Sequence, residues 1–297
     1  MFRPRPRRVY ITVKNGLFLL QGMGHWLSYW RDPYHLFLVM PWSLFLVGIL
    51  LIYVLINLFF AGLYLLGGEG IANAEPGSFA DAFFFSVQTF ASIGYGAMYP
   101  QSLYVHTVVA CQAVVSLISI ALLTGISFAR FARPTARVIF SRVAVICKHD
   151  GIPTLMIRAV NERGNQILEA QARLTLLRDE ITQEGNPFRR MYDLPLVRDR
   201  TYSFSIGWTI LHPIIPGSPL YGLKSEDLFQ RNTTITATIH GLDETVAQTV
   251  HAQYDYGSHA ILFHHRFVDM IQFLPDQRRL IDFSKIHEVI PEYPTLT

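Results

Sequence analysis

The chain has 297 residues, of which 51% are hydrophobic and only 16% charged, with a formal net charge of +3. An average soluble domain carries about 25% charged residues, so the composition excludes a disordered or heavily solvated chain. Between Pro33 and Ala129 the only charged residues are Glu69, Glu75 and Asp81, which concentrates the apolar character in one block and leaves a soluble half beyond it.

The chain opens on MFRPRPRR, basic but not followed by a compact apolar run and a small-residue cleavage site, so the N-terminus is expected to be retained. Trp26–Arg31 then mixes tryptophan and tyrosine with polar residues. That composition predicts a helix lying in the membrane interface, as an anchor or as a mechanical coupling element. Leu36–Leu66 is a stretch of 31 residues without a charge, and Gln101–Ala129 gives another 29, interrupted only by His106. At a rise of ~1.5 Å per residue either stretch crosses a hydrocarbon core of ~30 Å. Arg3, Arg5, Arg7, Arg8, Lys14 and Arg31 precede the first span, Arg130, Arg133, Arg137, Arg142 and Lys148 follow the second, and the connecting loop holds no Lys or Arg. The positive-inside rule therefore predicts two cytoplasmic termini and an external loop. Because the basic residues flank spans instead of clustering on a soluble face, no nucleic-acid partner is expected.

Within the loop, Pro76-Gly77 marks a turn, Ser78 fits a helix N-cap, and Asp81 falls in the first turn, where the helix dipole favours an acid. The apolar helix that follows, through Phe90, is about a dozen residues long, too short to span and suited to a re-entrant segment. It leads into Ser92-Ile93-Gly94-Tyr95-Gly96. A dehydrated potassium ion needs a cage of oxygens, and successive backbone carbonyls supply one if the chain alternates in conformation, with glycine taking the positive φ values. The carbonyls of Ser92, Ile93, Gly94 and Tyr95, with the Ser92 hydroxyl, are the expected K+ ligands. One strand makes one side of such a cage, so the pattern predicts four identical chains around a shared pore.

Farther on, Gly125 interrupts the second span near its cytoplasmic end, where glycine serves either close packing or bending. Arg130, Arg133 and Arg137 come next; they mark a cytoplasmic flank and are also suited to anionic lipid headgroups. From about Val138 the pattern turns to alternation. Leu168, Ala170, Ala172, Leu174 and Leu176 are expected on one face of a strand, as are Ile235, Ala237 and Ile239, with turns at Asp150-Gly151 and Arg163-Gly164-Asn165. This predicts a β-sandwich of ~160 residues, enough to bury a core. His264 and His265, if on one strand, point to opposite faces and cannot share a metal. With His251 and His259 they are read as structural histidines in preference to a pH-sensing cluster. Cys111 and Cys147 make no disulfide framework. No phosphate-binding loop, nucleophile elbow or zinc motif is present, so neither an enzyme nor a cofactor is expected.

The stretch PGSFADAFFFSVQTFASIGYG, the segment ARFARPTA, and the later GLDETVAQTVHAQYDY and ILFHHRF resemble the prokaryotic inward-rectifier potassium channel (KirBac) family over nearly the whole chain after about Trp26. The resemblance implies a homotetramer with a slide helix, two spans, a pore loop and an immunoglobulin-like cytoplasmic domain. It aligns Phe128 with the bundle-crossing gate, Ile120 with the cavity position that is acidic in strong rectifiers, and Arg130 and Arg133 with phosphoinositide contacts of eukaryotic relatives. It also shows departures. Ser92 stands where threonine is usual, which loses the stiffening β-methyl. Gln88 and Met98 stand where a glutamate and a basic partner brace the filter of many eukaryotic members.

The expected architecture is thus a membrane α pore domain, with two transmembrane helices, a re-entrant pore helix and a filter, joined to a cytoplasmic immunoglobulin-like β-sandwich. Residues 1–35 would hold the cytoplasmic N-terminus and slide helix, 36–137 the pore domain, and 138–297 the regulatory sandwich. The expected function is a K+ channel in a bacterial inner membrane, assembled with three identical subunits, gated at Phe128 and Gly125, and modulated by anionic lipid at Arg130, Arg133 and Arg137. Two other readings are a weakly selective cation channel, given Ser92, and a membrane-anchored β-sandwich binding protein without conductance.

Overall fold

The computed structural model describes residues 10–14, 17–21, 33–134, 136–274 and 278–292. The chain divides into two compact units: Gly24–Arg133 forms one, and Pro134–Thr297 joins the N-terminal segment Met1–Met23 in the other. The expected interfacial helix at Trp26–Arg31 lies outside the described residues.

The N-terminal segment contributes strands β1 (Tyr10–Lys14) and β2 (Leu17–Gln21), paired antiparallel with Lys14 opposite Leu17. In the apolar unit, the charge-free stretch from Leu36 is two helices and not one. Helix α1 (Pro33–Val39) stops, and α2 (Trp42–Leu66, 25 residues) begins after Pro41, whose φ of −56° and ψ of 150° are extended. The cause is local: a proline crowds the residue before it out of the helical region and offers no N–H. The first span therefore starts at Trp42, six residues later than the absence of charge implied. A short pairing of β3 (Ile71–Ala72) with β4 (Tyr99–Pro100) frames helix α3 (Phe79–Phe90). Helix α4 (Leu103–Phe131, 29 residues) is capped by Ser102, whose hydroxyl accepts from Val105 N at 3.2 Å, and it runs unbroken through Gly125. Both α2 and α4 are long and apolar enough to cross a membrane.

The C-terminal unit is built from two five-stranded sheets. One runs β10 (Arg200–Phe204), β8 (Ile167–Ile181), β12 (Thr234–Asp243), β13 (Gln248–Gly257), with β9 (Pro187–Leu194) also on β8. The other runs β11 (Gly207–Pro213), β7 (Ile152–Asn161), β6 (Ala144–His149), β14 (Ile261–Phe263), with β5 (Val138–Phe140) on β7. Their inward residues meet in one core, Ile157, Trp208 and Ile210 from the second sheet against Leu174, Leu176 and Ile239 from the first. The turns at Asp150-Gly151 and Arg163-Gly164-Asn165 fall between β6 and β7 and between β7 and β8, as expected.

Two details of the strand reading change. Leu168 is only half-buried, and Ile167 takes the inward position instead. Glu169 adopts φ 48°, and the register between β8 and β12 slips so that Glu169 and Ala170 together oppose Gly241. This is a β-bulge, which inverts the phase of alternation at one end of β8. His264, at φ 56°, is the turn residue between β14 and β15 (His265–Phe267), so the two adjacent histidines do not share a strand; among the described residues no cluster of three metal-ligating side chains exists.

Gly241 is required by the bulge. A Cβ there would lie 2.6 Å from Ile167 Cγ2, 2.8 Å from Leu168 O and 3.0 Å from Ala170 Cα. Gly241→Ala should destabilise the C-terminal unit by about 1–3 kcal/mol, the usual cost of overpacking a core, read as a lowered thermal midpoint of the purified protein.

Candidate functional site: the short helix and its Gly-Tyr-Gly exit

Helix α3 is started as the sequence predicts. Ser78 Oγ accepts from Asp81 N at 3.2 Å, and Asp81 Oδ2 in turn accepts from Glu75 N at 2.8 Å, which ties the preceding turn to the helix. The helix then packs its aromatic face on the spans, with Phe85 edge-on to Tyr64 of α2 at 5.0 Å between ring centroids and Phe90 edge-on to Tyr53 at 5.3 Å.

The chain leaves α3 through two bonds that turn it sharply, Ser92 N to Thr89 O at 3.2 Å and Ile93 N to Gln88 O at 2.9 Å. From there φ is 55° at Ser92, 54° at Gly94 and 80° at Gly96, while Ile93 and Tyr95 have no positive φ. Such alternation of hand turns successive carbonyls to one side of a strand. Among the described residues, no hydrogen bond is donated to the carbonyls of Ser92, Ile93, Gly94 or Tyr95. The next carbonyl, of Ala97, accepts from Asn73 Nδ2 at 2.7 Å, which pins the outer end of the segment to the loop before α3. Tyr95 is 74% exposed in the isolated chain. The arrangement offers four free oxygens in a row at the negative end of a helix, the chemistry of a cation site.

Gln88 is half-buried, and Met98 packs on the cluster of Phe60, Tyr64 and Phe85, so neither end of the segment carries a charged brace. What holds α3 instead went unread in the sequence. Tyr64 OH donates to Gln112 Oε1; Gln112 Nε2 donates to Ser86 O at 2.9 Å and to Ser86 Oγ at 2.8 Å; Ser86 Oγ donates to Asn57 Oδ1 at 2.9 Å; and Asn57 Nδ2 donates to Tyr53 O at 2.9 Å. Ser116 Oγ donates to Phe90 O. All five side chains are buried. The available signal was Asn57 and Gln112 themselves, amides inside charge-free spans, where polar side chains are rare and functional.

The remaining expected residues lie along α4. Ile120 is 50% and Phe128 72% exposed in the single chain, and a Cβ on Gly125 would meet nothing within 4 Å. Arg130 is not free: its guanidinium donates to Phe37 O and, at 2.8 Å, to Met40 O, and lies 4.5 Å from the ring centres of both Trp42 and Phe45. Arg133 donates to Leu38 O at 3.1 Å, with its side chain exposed, and Arg137 is exposed. Arg130 and Arg133 thus cap α1, taking the carbonyls that a helix C-terminus leaves unpaired.

In the C-terminal unit a cavity of about 830 Å³ is lined by Arg142, Tyr254, Asp255, His259 and His287. Burial, and secondarily the nearby Arg142 charge, holds the His287 imidazole below its ordinary range.

Comparison with known proteins agrees with this division. Residues 138–296 match the family described as inward rectifier potassium channel C-terminal domain, and residues 49–133 match a family described as ion channel. The chain is 42% identical to the inward rectifier potassium channel Kirbac3.1 of Paramagnetospirillum magnetotacticum, over 97% of this chain and 98% of that one. It is 33% identical to the human inward rectifier potassium channel 18, over 73% of this chain and 52% of that one, and 33% identical to inward rectifier potassium channel 4 of Mesocricetus auratus, over 71% and 49%. The chain spans about half the length of these mammalian relatives.

Loss of the Arg130 fork should free α1. In Arg130→Met, hydrogen–deuterium exchange at Pro33–Val39 should rise roughly thirtyfold, the equivalent of ~2 kcal/mol for a lost charge-assisted bond. Exchange in the C-terminal unit should stay at its wild-type level.

Proposed function

Because the chain belongs to the inward rectifier potassium channel family, we propose that four copies surround one pore and that Ser92, Ile93, Gly94, Tyr95 and Gly96 are its selectivity filter. The observation that carries the reading is the alternation of positive φ at Ser92, Gly94 and Gly96 with four unclaimed carbonyls between them. A dehydrated K+ exchanges its water for rings of such carbonyls, one from each chain, and helix α3 becomes the pore helix that turns its negative end toward the ion. The hydroxyl of Ser92 adds an oxygen at the inner end.

Phe128, exposed on α4 near its cytoplasmic end, is the gate: four such rings on an axis close a pore by expelling water. Gly125, three residues earlier, lets that end of the helix move. Ile120 gives a cavity without an acid, so internal cations find little to hold them and rectification is weak. The protein sits in a bacterial inner membrane with both termini cytoplasmic, and its C-terminal unit is an immunoglobulin-like sandwich that transmits a regulatory signal. Anionic lipid acts at the basic run. Arg133 and Arg137 offer exposed guanidinium groups, and Arg130 joins them through α1, which it holds.

A weakly selective cation channel is the second reading, favoured by Ser92, whose side chain lacks the methyl that stiffens the usual threonine.

In proteoliposomes the purified protein should take up rubidium, barium should block that uptake, and excess external sodium should leave it intact. Equal competition by sodium would support the second reading, and a protein that stays monomeric without flux would leave only an anchored binding module. Phe128→Ala should raise resting uptake several-fold, whereas unchanged uptake would remove Phe128 from the gate. The double variant Arg133→Gln, Arg137→Gln should lose its response to anionic lipid in the vesicle, and a full response would place lipid action elsewhere.

A further inference from the structure

Many members of the wider family are expected to brace the filter with a buried ion pair, and in this chain both positions, Gln88 and Met98, are uncharged. The pore helix is nevertheless fastened to α4 by hydrogen bonds at two points. Gln112 holds Ser86 through its backbone oxygen and its hydroxyl, and Ser116 holds the carbonyl of Phe90. Gln112 and Ser116 are four residues apart on one helix, as Ser86 and Phe90 are on the other. The two contacts are thus rungs of a ladder, each about 6 Å of helix rise from the next. The upper rung is itself backed by Tyr64 and Asn57 of α2, so one hydrogen-bonded chain ties both spans to the pore helix. Every link passes its donor in one direction, from Tyr64 through Gln112 and Ser86 to Asn57 and the Tyr53 carbonyl. Such chains polarise one another in a low-dielectric interior, and none of their members needs a buried charge.

We propose that Gln112 and Ser116 are positioning residues that set ion selectivity, by holding the C-terminal half of the pore helix, and through it Ser92, at a fixed distance from the ion path. The mechanical route is short. Phe90 O, held by Ser116, lies in the turn whose neighbouring carbonyls, of Thr89 and Gln88, bond Ser92 N and Ile93 N. Discrimination between K+ and Na+ depends on how closely the carbonyl cage keeps its size, and a first ring of oxygens is only as well placed as the shell behind it. Removing a rung should therefore change which ion passes while the chain still folds. The Ser92 side chain, without its β-methyl, makes the filter more dependent on this outside support.

The inference rests on the filter assignment above, and the test separates the two. Rubidium and sodium uptake, with barium block, would be measured in proteoliposomes for the wild type, Ser116→Ala, Ser116→Thr, Gln112→Met and Gln112→Glu, each checked for tetramer by size and for its thermal midpoint. Ser116→Ala and Gln112→Met should each lower the rubidium-to-sodium ratio about tenfold, the scale of one buried hydrogen bond, and weaken barium block. Gln112→Glu is nearly isosteric but loses the amide donors to Ser86, so it should fall with Gln112→Met, while Ser116→Thr keeps its hydroxyl and should keep the wild-type ratio. Where the Gln112 variants fail to assemble, the Ser116 pair decides alone. Ser116→Ala with the wild-type ratio and the wild-type barium block overturns the proposal. So does Ser116→Thr behaving as Ser116→Ala. A wild type without barium-sensitive uptake fails the filter assignment first, and the ladder with it.

Discussion

Hydrocarbon offers no partner to a backbone polar group, and the apolar unit is organised around that constraint. Helices α2 and α4 satisfy themselves internally, and α3 has its open ends met by named groups: Ser78 at the first turn, Ser116 at the last. The C-terminus of α1 is met by Arg130 and Arg133. Against this background the carbonyls of Ser92 to Tyr95 are the exception, a row of acceptors that no described donor reaches. These residues are exposed in the single chain; in the proposed tetramer they would line a shared pore, where an unpaired carbonyl is costly and a cation would be its partner.

The C-terminal unit obeys a different rule, the two-residue period of a strand facing one core. One deviation from it is instructive. The bulge at Glu169 and Ala170 exchanges Leu168 for Ile167 on the inner face, and the absence of a side chain at Gly241 makes room for it. The cost of a non-glycine residue at φ 48° is local, and the gain is continuous burial along the rest of β8 from Ala170 to Arg178.

What could be read from the sequence was what depends on neighbours in the chain. Ser78 and Asp81 announce a helix start because capping acts over three residues, and Gly94 and Gly96 announce a backbone that leaves the usual regions because only glycine does so freely. Pro41 is equally legible as a helix break, although the absence of charge along Leu36–Leu66 says nothing about backbone N–H groups. The ladder from Tyr64 to Asn57 was not legible in the same way. Its partners are 26 to 48 residues apart, and only packing decides which amide meets which hydroxyl. Glu169 was beyond reach altogether, because nothing in a glutamate marks a left-handed position. Arg130 shows the limit of reasoning by charge: a basic flank suggests headgroups, while the fold gives its guanidinium to two helices of the same unit and to the Met40 carbonyl between them.

The break at Met40-Pro41 and the Arg130 fork together bear on how the protein meets bilayers of different thickness. At 25 residues α2 is about 37 Å long and at 29 residues α4 is about 43 Å, both longer than a typical ~30 Å hydrocarbon core. Such an excess is relieved by tilt, and tilt changes when the lipid chains shorten or lengthen. A single rigid helix from Pro33 to Leu66 would carry α1 with it. The break at Pro41 interrupts that continuity, and Arg130 at the end of α4 bonds the last turn of α1 while lying over Trp42 and Phe45 in the first turn of α2. A change of tilt in α2 would therefore be felt first at this junction of α1, α2 and the end of α4, through the thickness of the host membrane's acyl layer and not through any headgroup.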